Sequence, residues 1–251
     1  MGYGRAVRQR FDDWTMKDVS ETVEFFIPNL GLDVQPYIAA DSKQGIHHVG
    51  RYQWAHMVLS ELKPKRVIDI ACGAGYGTRV IADALQQSEV IGVDYDPRAV
   101  TYAQSHYSAP NVSFLVGSIV TWTSEKTPLG SCDAIVSFDT IEHISHREIA
   151  MESIVQNLSR HGVLLLSTPC GHSETRLNPD WAHHKIEFSH EDLFVFLRRY
   201  FGHVIQPQDP DFIHAEFWSD LINRGETRYL NRMNPVICCD PIPPKRYQPG
   251  I

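Results

Sequence analysis

The spacing of hydrophobic positions changes period several times along this 251-residue chain. Between Gly50 and Leu62, the residues Ala55, Val58, Leu59 and Leu62 recur at i, i+3, i+4 and i+7, the repeat of one helix face. Lys63-Pro64-Lys65 stops that run. Short apolar runs follow over 66–70, 89–93, 112–116, 134–138 and 163–167. Each is strand-sized and nearly unbroken, as in a parallel sheet covered on both faces. Between them the period returns to that of a helix. Tyr76 to Leu85 is one such segment, and Asp96 and Pro97 read as the cap and first residue of another that runs to about His106. Ser145 and Glu148 predict a capping box for a helix to about Arg160, closed by Gly162. Ser189 and Asp192 open a further helix that Gly202 ends, and His203–Gln206 and Pro235–Cys239 read as two last strands.

The flanks break this alternation. Residues 1–48 read as an N-terminal helical cap and 49–208 as the core. Residues 209–234, with Phe212, Phe217, Trp218 and Leu221, read as an inserted helical segment, and 235–251 as the last strand and tail. Pro169 to Glu187 reads as a long polar loop; loops of that length are usually functional or disordered. With the cap, it is expected to close over a bound substrate. Strands alternating with helices make an α/β protein whose sheet carries helices on both faces, and such sheets bind ligands beyond the carboxyl ends of their strands.

Composition narrows the class. With 43% hydrophobic and 21% charged residues the chain is an ordinary globular one. A net charge of −7 argues against a broad nucleic-acid surface, so no nucleic-acid partner is expected. The five cysteines are odd in number and form no C-x-x-C pair, which points to free thiols and a cytoplasmic setting. There is no apolar leader segment, and no run approaches a membrane span.

Candidate chemistry begins at Val67–Thr78, a strand running into a glycine turn and a helix. Gly73 and Gly75 let the backbone bend and approach a ligand. The spacing G-x-G-x-G, with its third glycine at Gly77, departs from the dinucleotide pattern G-x-G-x-x-G. Asp69 sits in the strand, where its carboxylate suits an ammonium group and would repel a pyrophosphate. Asp94, at the end of the second strand, suits a ribose diol. A ligand with a ribose, an ammonium group and no phosphate is S-adenosylmethionine.

These residues, with Val90 to Pro97 and Val136 to Ile144, resemble the nucleotide-binding motifs of class I S-adenosylmethionine-dependent methyltransferases. Phe138-Asp139-Thr140-Ile141-Glu142-His143, Ser167-Thr168-Pro169 and His184 to Ser189 resemble the branch that holds the ubiquinone-biosynthesis-type O-methyltransferases. His48-Val49-Gly50-Arg51-Tyr52 resembles an entry helix of bacterial methyltransferases acting on sugars or cell-surface glycans. The resemblance spans about Gly45 to Gly202. It implies a Rossmann-like, doubly wound, mostly parallel seven-stranded sheet with an N-terminal helical cap and a C-terminal insertion. It also implies roles. Asp69, Ala71, Gly73 and Gly75 would surround the methionine part, and Arg51 would pair with its carboxylate. Asp94 would bind the ribose, Tyr95 would pack on the adenine, and Ser118 and Ile119 would lie at the adenine edge. Phe138 and Asp139 would flank the methionine end.

A second constellation is Asp139, Glu142, His143 and the His183-His184 pair. Methyl transfer to oxygen needs a proton removed or a cation beside the alkoxide. His143 is the first candidate base and His184 the second, with Glu142 beside them. The same residues resemble the small-RNA terminal 2′-O-methyltransferases, which implies Glu142, His143 and His184 as ligands of a divalent cation; an oxygen-plus-imidazole set suits manganese or iron better than magnesium. The expected function is O-methylation of a small-molecule or sugar or glycan acceptor. The alternatives are a metal-dependent RNA 2′-O-methyltransferase and a non-catalytic cofactor-binding protein.

Overall fold

The computed structural model describes residues 43–172, 174–179, 183–206 and 235–244. The expected helical cap before Lys43, the inserted segment 209–234 and the end of the tail lie outside them. The chain divides into two compact units: one runs up to Ser118 and takes in Thr123–Thr127, and the other holds Ile119–Trp122 and everything from Pro128 on.

The first unit opens with α1 (Lys43–Leu62), which starts earlier than the apolar repeat from Gly50 indicated. Lys63 ends it in a left-handed conformation (φ 51°) just before Pro64. Then come β1 (Arg66–Ile70), α2 (Tyr76–Ala84), β2 (Glu89–Asp94), α3 (Pro97–His106) and β3 (Val112–Ser118). β1 pairs parallel with β2 from Arg66↔Glu89 to Ile70↔Val93, and β2 pairs parallel with β3 from Val90↔Val112 to Asp94↔Val116. This register sets the carboxyl ends of the strands side by side. Val67, Ile68, Val90 and Val93 of the strands and Ile81, Ala82, Ala99 and Ala103 of the two helices are all fully buried. Asp96 caps α3 as expected, its carboxylate accepting from the Arg98 N–H, with Pro97 in the first turn. The short β4 (Thr123–Ser124) folds back antiparallel on β3, and β5 (Thr127–Pro128) follows.

In the second unit β6 (Cys132–Phe138) leads through a 3₁₀ turn (Ile141–His143) to α4 (Arg147–Asn157) and β7 (Leu158–Ser167). β6 and β7 run parallel, Ala134↔Val163 to Phe138↔Ser167. The expected capping box does not form: α4 starts after His146 with no side-chain cap, so Ser145 lies one position too early. Gly162 does not close that helix either. It lies within β7, among the extra residues that β7 carries where the pairing shifts from Cys132↔Leu158 to Ala134↔Val163, and a Cβ there would sit 2.9 Å from Leu158 and 3.0 Å from the Asp133 carbonyl. α5 (His190–Leu197) has the expected cap, Ser189 Oγ accepting from the Asp192 N–H, and ends before Gly202, which belongs to β11 (Phe201–Ile205). β11 pairs antiparallel with β12 (Val236–Pro241), and β12 pairs antiparallel with β7.

The described residues hold seven strands of five residues or more, five of which make parallel pairs. The expected structureless stretch after Pro169 carries instead a small sheet. In it β10 (Ile186–Ser189) lies parallel to β8 (Cys170–His172) and antiparallel to β9 (Arg176–Leu177). No described helix is long and apolar enough to cross a membrane.

Candidate functional site

In the first unit, the turn after β1 takes three left-handed residues in five: Ala71 (φ 63°), Gly73 (φ 54°) and Gly75 (φ 88°). Ala71 carries this at a cost that glycine avoids. Gly75 needs its missing side chain twice over. Its φ is positive, and a Cβ would come within 2.5 Å of Ala103 and 2.8 Å of Phe114. The turn is tied back to β2: the Cys72 N–H donates to the Val93 carbonyl at 3.0 Å, and the Gly73 N–H donates to Asp94 Oδ2 at 2.8 Å. Asp94 Oδ1 accepts from the Asp96 N–H at 2.9 Å. Two backbone donors therefore fix the Asp94 carboxylate at the end of β2.

Asp69 is completely buried in β1. Thr78 Oγ1 donates to its Oδ2 at 2.6 Å, and the Tyr52 hydroxyl donates to its Oδ1 at 3.2 Å. Burial pushes this carboxyl up to about 7, against the two hydroxyl hydrogen bonds that lower it. Tyr52 and Thr78 were not among the expected site residues. Tyr52 comes from α1 and its hydroxyl is held far above its ordinary range by burial and by Asp69. Gly77 makes room for it: a Cβ there would lie 2.2 Å from the Tyr52 ring. The third glycine thus serves the packing of a tyrosine. Arg51, next to Tyr52, is buried, and Tyr95 is 64% exposed at the end of β2. Ser118 closes β3, opposite Thr123 of β4, and Ile119 is buried in the other unit. The Cys72 thiol is driven up by burial, which fits a small buried filler and not a nucleophile.

In the second unit, Phe138 ends β6 and Asp139 follows in a left-handed conformation (φ 47°). The Asp139 N–H donates to the Ser167 carbonyl at 2.9 Å, and Ser167 Oγ donates to Asp139 Oδ1 at 3.3 Å. That strained residue starts the turn that presents Glu142 and His143. Glu142 is fully buried, and its Oε2 accepts from Thr168 Oγ1 at 2.8 Å. Its Oε1 lies 3.9 Å from His143 Nε2. His143 and His184 meet edge to face with ring centroids 5.0 Å apart. One ligand-capable atom from each of Glu142, His143 and His184 lies within 4.8 Å of the other two.

The polar stretch is stitched to this turn by backbone: the Lys185 N–H donates to the Glu142 carbonyl at 2.7 Å. His143 Nδ1 lies 3.1 Å from the His183 carbonyl, and His184 Nδ1 lies 2.7 Å from Glu187 Oε1. The sequence-expected trio is therefore together, with Thr168 and Glu187 as additional partners. His183 contributes its backbone carbonyl there. The donor set of one carboxylate and two imidazoles fits a first-row transition ion better than magnesium.

Residues 62–213 match the family model described as a methyltransferase domain. A probable S-adenosylmethionine-dependent methyltransferase of Mycolicibacterium smegmatis is 34% identical over 155 residues, 61% of this chain and 56% of the relative. A malonyl-[acyl-carrier protein] O-methyltransferase of Bacillus cereus is 29% identical over 121 residues, 45% of this chain and 44% of the relative. The chain thus spans about half the length of these curated relatives. Among solved structures, an N-methyltransferase of Bradyrhizobium japonicum in complex with S-adenosyl-L-homocysteine superposes with a TM-score of 0.54 at 16% identity. That match covers 83% of this chain and 92% of that one.

Proposed function

The chain belongs to the class I S-adenosylmethionine-dependent methyltransferases, and on that premise we propose that it methylates an oxygen of a small-molecule or sugar or glycan acceptor. The observation that carries this reading is the meeting of Glu142, His143 and His184, one ligand-capable atom of each within 4.8 Å of the others. Sulfonium chemistry needs no enzymic base of its own; an unactivated hydroxyl acceptor does. When bound, S-adenosylmethionine would supply an electrophilic methyl group to the acceptor oxygen and leave as the neutral thioether. The hydroxyl proton passes to an imidazole nitrogen of His143 or His184. On the donor side, Asp94, whose carboxylate is fixed at the end of β2, would hold the ribose hydroxyls. In the first unit Asp69, Ala71, Gly73, Gly75 and Arg51 would line the methionine portion, and Tyr95 and Ser118 would take the adenine. Ile119, Phe138 and Asp139 of the second unit are the remaining candidates for cofactor contact. The oxygen target accords with the relative named as an O-methyltransferase.

A second reading of the same cluster has a specific observation in its favour. The carboxylate and both imidazoles are each held by a neighbour, as metal ligands are: Thr168 on Glu142, the His183 carbonyl on His143 and Glu187 on His184. Glu142, His143 and His184 would then hold a divalent cation, which lowers the pKa of a bound hydroxyl. A net charge of −7 disfavours a nucleic-acid acceptor in either case.

The test is radiolabelled methyl transfer from S-adenosylmethionine to a panel of sugars, phenols, carboxylic acids and amines, with and without a chelator. Transfer to an oxygen acceptor, reduced about 10²–10⁴-fold in the His143→Ala and His184→Ala double variant, is expected. Transfer to amines alone, or full turnover in that double variant, overturns the proposal. Loss of turnover on chelation, restored by Mn²⁺, selects the cation reading, and indifference to the chelator rejects it.

A further inference from the structure

We propose that Glu187 is a positioning residue that fixes the tautomer of His184, and with it the nitrogen that His184 offers to chemistry. The inference rests on the reading that the cluster activates the acceptor, as base or as ligand. It goes beyond that reading by naming a residue that does not itself touch the reacting atoms.

A carboxylate oxygen can only accept, so at 2.7 Å from Glu187 Oε1 the His184 Nδ1 must carry the proton. The remaining lone pair of the neutral ring then sits on Nε2. The same logic applies to the neighbouring ring. A backbone carbonyl can only accept, so at 3.1 Å from the His183 oxygen the His143 Nδ1 is the donor and its lone pair sits on Nε2. That Nε2 is the atom 3.9 Å from Glu142 Oε1. Two different acceptors therefore impose the same tautomer on the two histidines of one cluster. A general base and a metal ligand both require this arrangement, a lone pair at a nitrogen whose ring is clamped at the other.

The clamp on His184 is itself built into the fold. Glu187 lies on β10 opposite Arg176 of β9, and the preceding residue, Ile186, is buried opposite Leu177. The Lys185 N–H bonds the Glu142 carbonyl at 2.7 Å, and the Asn178 N–H bonds the Lys185 carbonyl at 3.1 Å. His184 and Glu187 are thus three positions apart across a backbone fixed at both sides. Their side chains are mostly sheltered, 14% and 15% exposed. An exposed pair would hold one geometry weakly; a sheltered one can hold a ring orientation.

The experiment is long-range ¹H–¹⁵N correlation on the full chain labelled with ¹⁵N-histidine, at a pH where the imidazoles are neutral. The His184 signals are identified by their loss in His184→Gln. In the wild type, His184 is expected to show the protonated-nitrogen shift at Nδ1 and the lone-pair shift at Nε2. In Glu187→Ala the two shifts are expected to exchange, wholly or in large part. In Glu187→Gln, whose amide carbonyl can still accept, the wild-type pattern is expected to return. Wild-type His184 protonated at Nε2, or an unchanged His184 pattern in Glu187→Ala, overturns the proposal. Should Glu187→Ala not fold, a Glu187→Gln pattern unlike the wild type overturns it. Failure of the underlying reading looks different: full turnover in the double histidine variant, while the wild type and the Glu187 variants show the expected tautomer pattern.

Discussion

Asp69 shows how burial changes what a carboxyl does for the fold. Its carboxyl titrates near 7 in the fold against an ordinary value of 3.8, because burial disfavours the charge more than Thr78 and Tyr52 restore it. A raised folded value means that its stability contribution is fully present below about 3.8 and is lost as the pH rises through about 7. Relative to Asp69→Asn, which cannot ionise, the wild type is therefore expected to lose roughly 4 kcal/mol of unfolding free energy across that window. Urea titrations at stepped pH measure it, and parallel curves for the two proteins would refute it. A second expectation concerns the cofactor. If the ammonium group of S-adenosylhomocysteine meets Asp69, binding below the folded pKa should expel a proton from it. Calorimetry in two buffers of different ionisation enthalpy reads that release, which should vanish in Asp69→Asn. Equal heats in both buffers would leave Asp69 as a structural link between α1, β1 and α2.

At the scale of elements, Gly77 joins two helices. The Tyr52 ring from α1 fills the space where a Gly77 side chain would be, and its hydroxyl reaches Asp69 at the end of that path. Gly77→Ala is expected to displace the ring and cost about 1–3 kcal/mol, as overpacking does. Because it also removes a hydrogen bond to Asp69, it should raise the Kd for S-adenosylhomocysteine. Tyr52→Phe, which removes the bond without crowding, separates the two effects. Unchanged stability and affinity in Gly77→Ala would contradict the packing. The sequence carried the alternation of β1–β3 with α2 and α3 clearly, since unbroken apolar runs and a proline-marked cap are local signals. It carried less where a position depends on a distant neighbour. Gly77 read as part of a nucleotide pattern because nothing near it announces the ring of Tyr52. Ser145 read as a cap because the spacing to Glu148 fits, yet the turn from Asp139 uses one more residue before α4 begins. The short strands β8, β9 and β10 were hidden among polar residues, since two to four residues are too few for a period to show. At the cluster, Glu142, His143 and His184 were expected from their place after a strand and from a family resemblance, whereas Thr168 and Glu187 enter through contacts that only the folded chain reveals.

For the whole molecule, the consequence is a division of labour. The hydrogen bonds described for Asp69, Gly73, Thr78 and Asp94 stay within one compact unit, and those of Glu142, His143, Thr168, His184 and Glu187 stay within the other. Substitutions at Asp94 and at the histidine pair should therefore have separable effects. Asp94→Asn weakens the ionised acceptor at the end of β2, and loss of a hydrogen bond to a charged group is worth about 1.5–3 kcal/mol. That corresponds to a rise of roughly ten- to a hundred-fold in the Kd for S-adenosylhomocysteine. His143→Ala with His184→Ala should leave that Kd within about two-fold while lowering kcat by about 10²–10⁴ toward an oxygen acceptor found in the panel. A combined variant should show both losses, neither masking the other. If the histidine pair instead shifts donor affinity as strongly as Asp94→Asn does, the cluster belongs to the donor site and not to the acceptor.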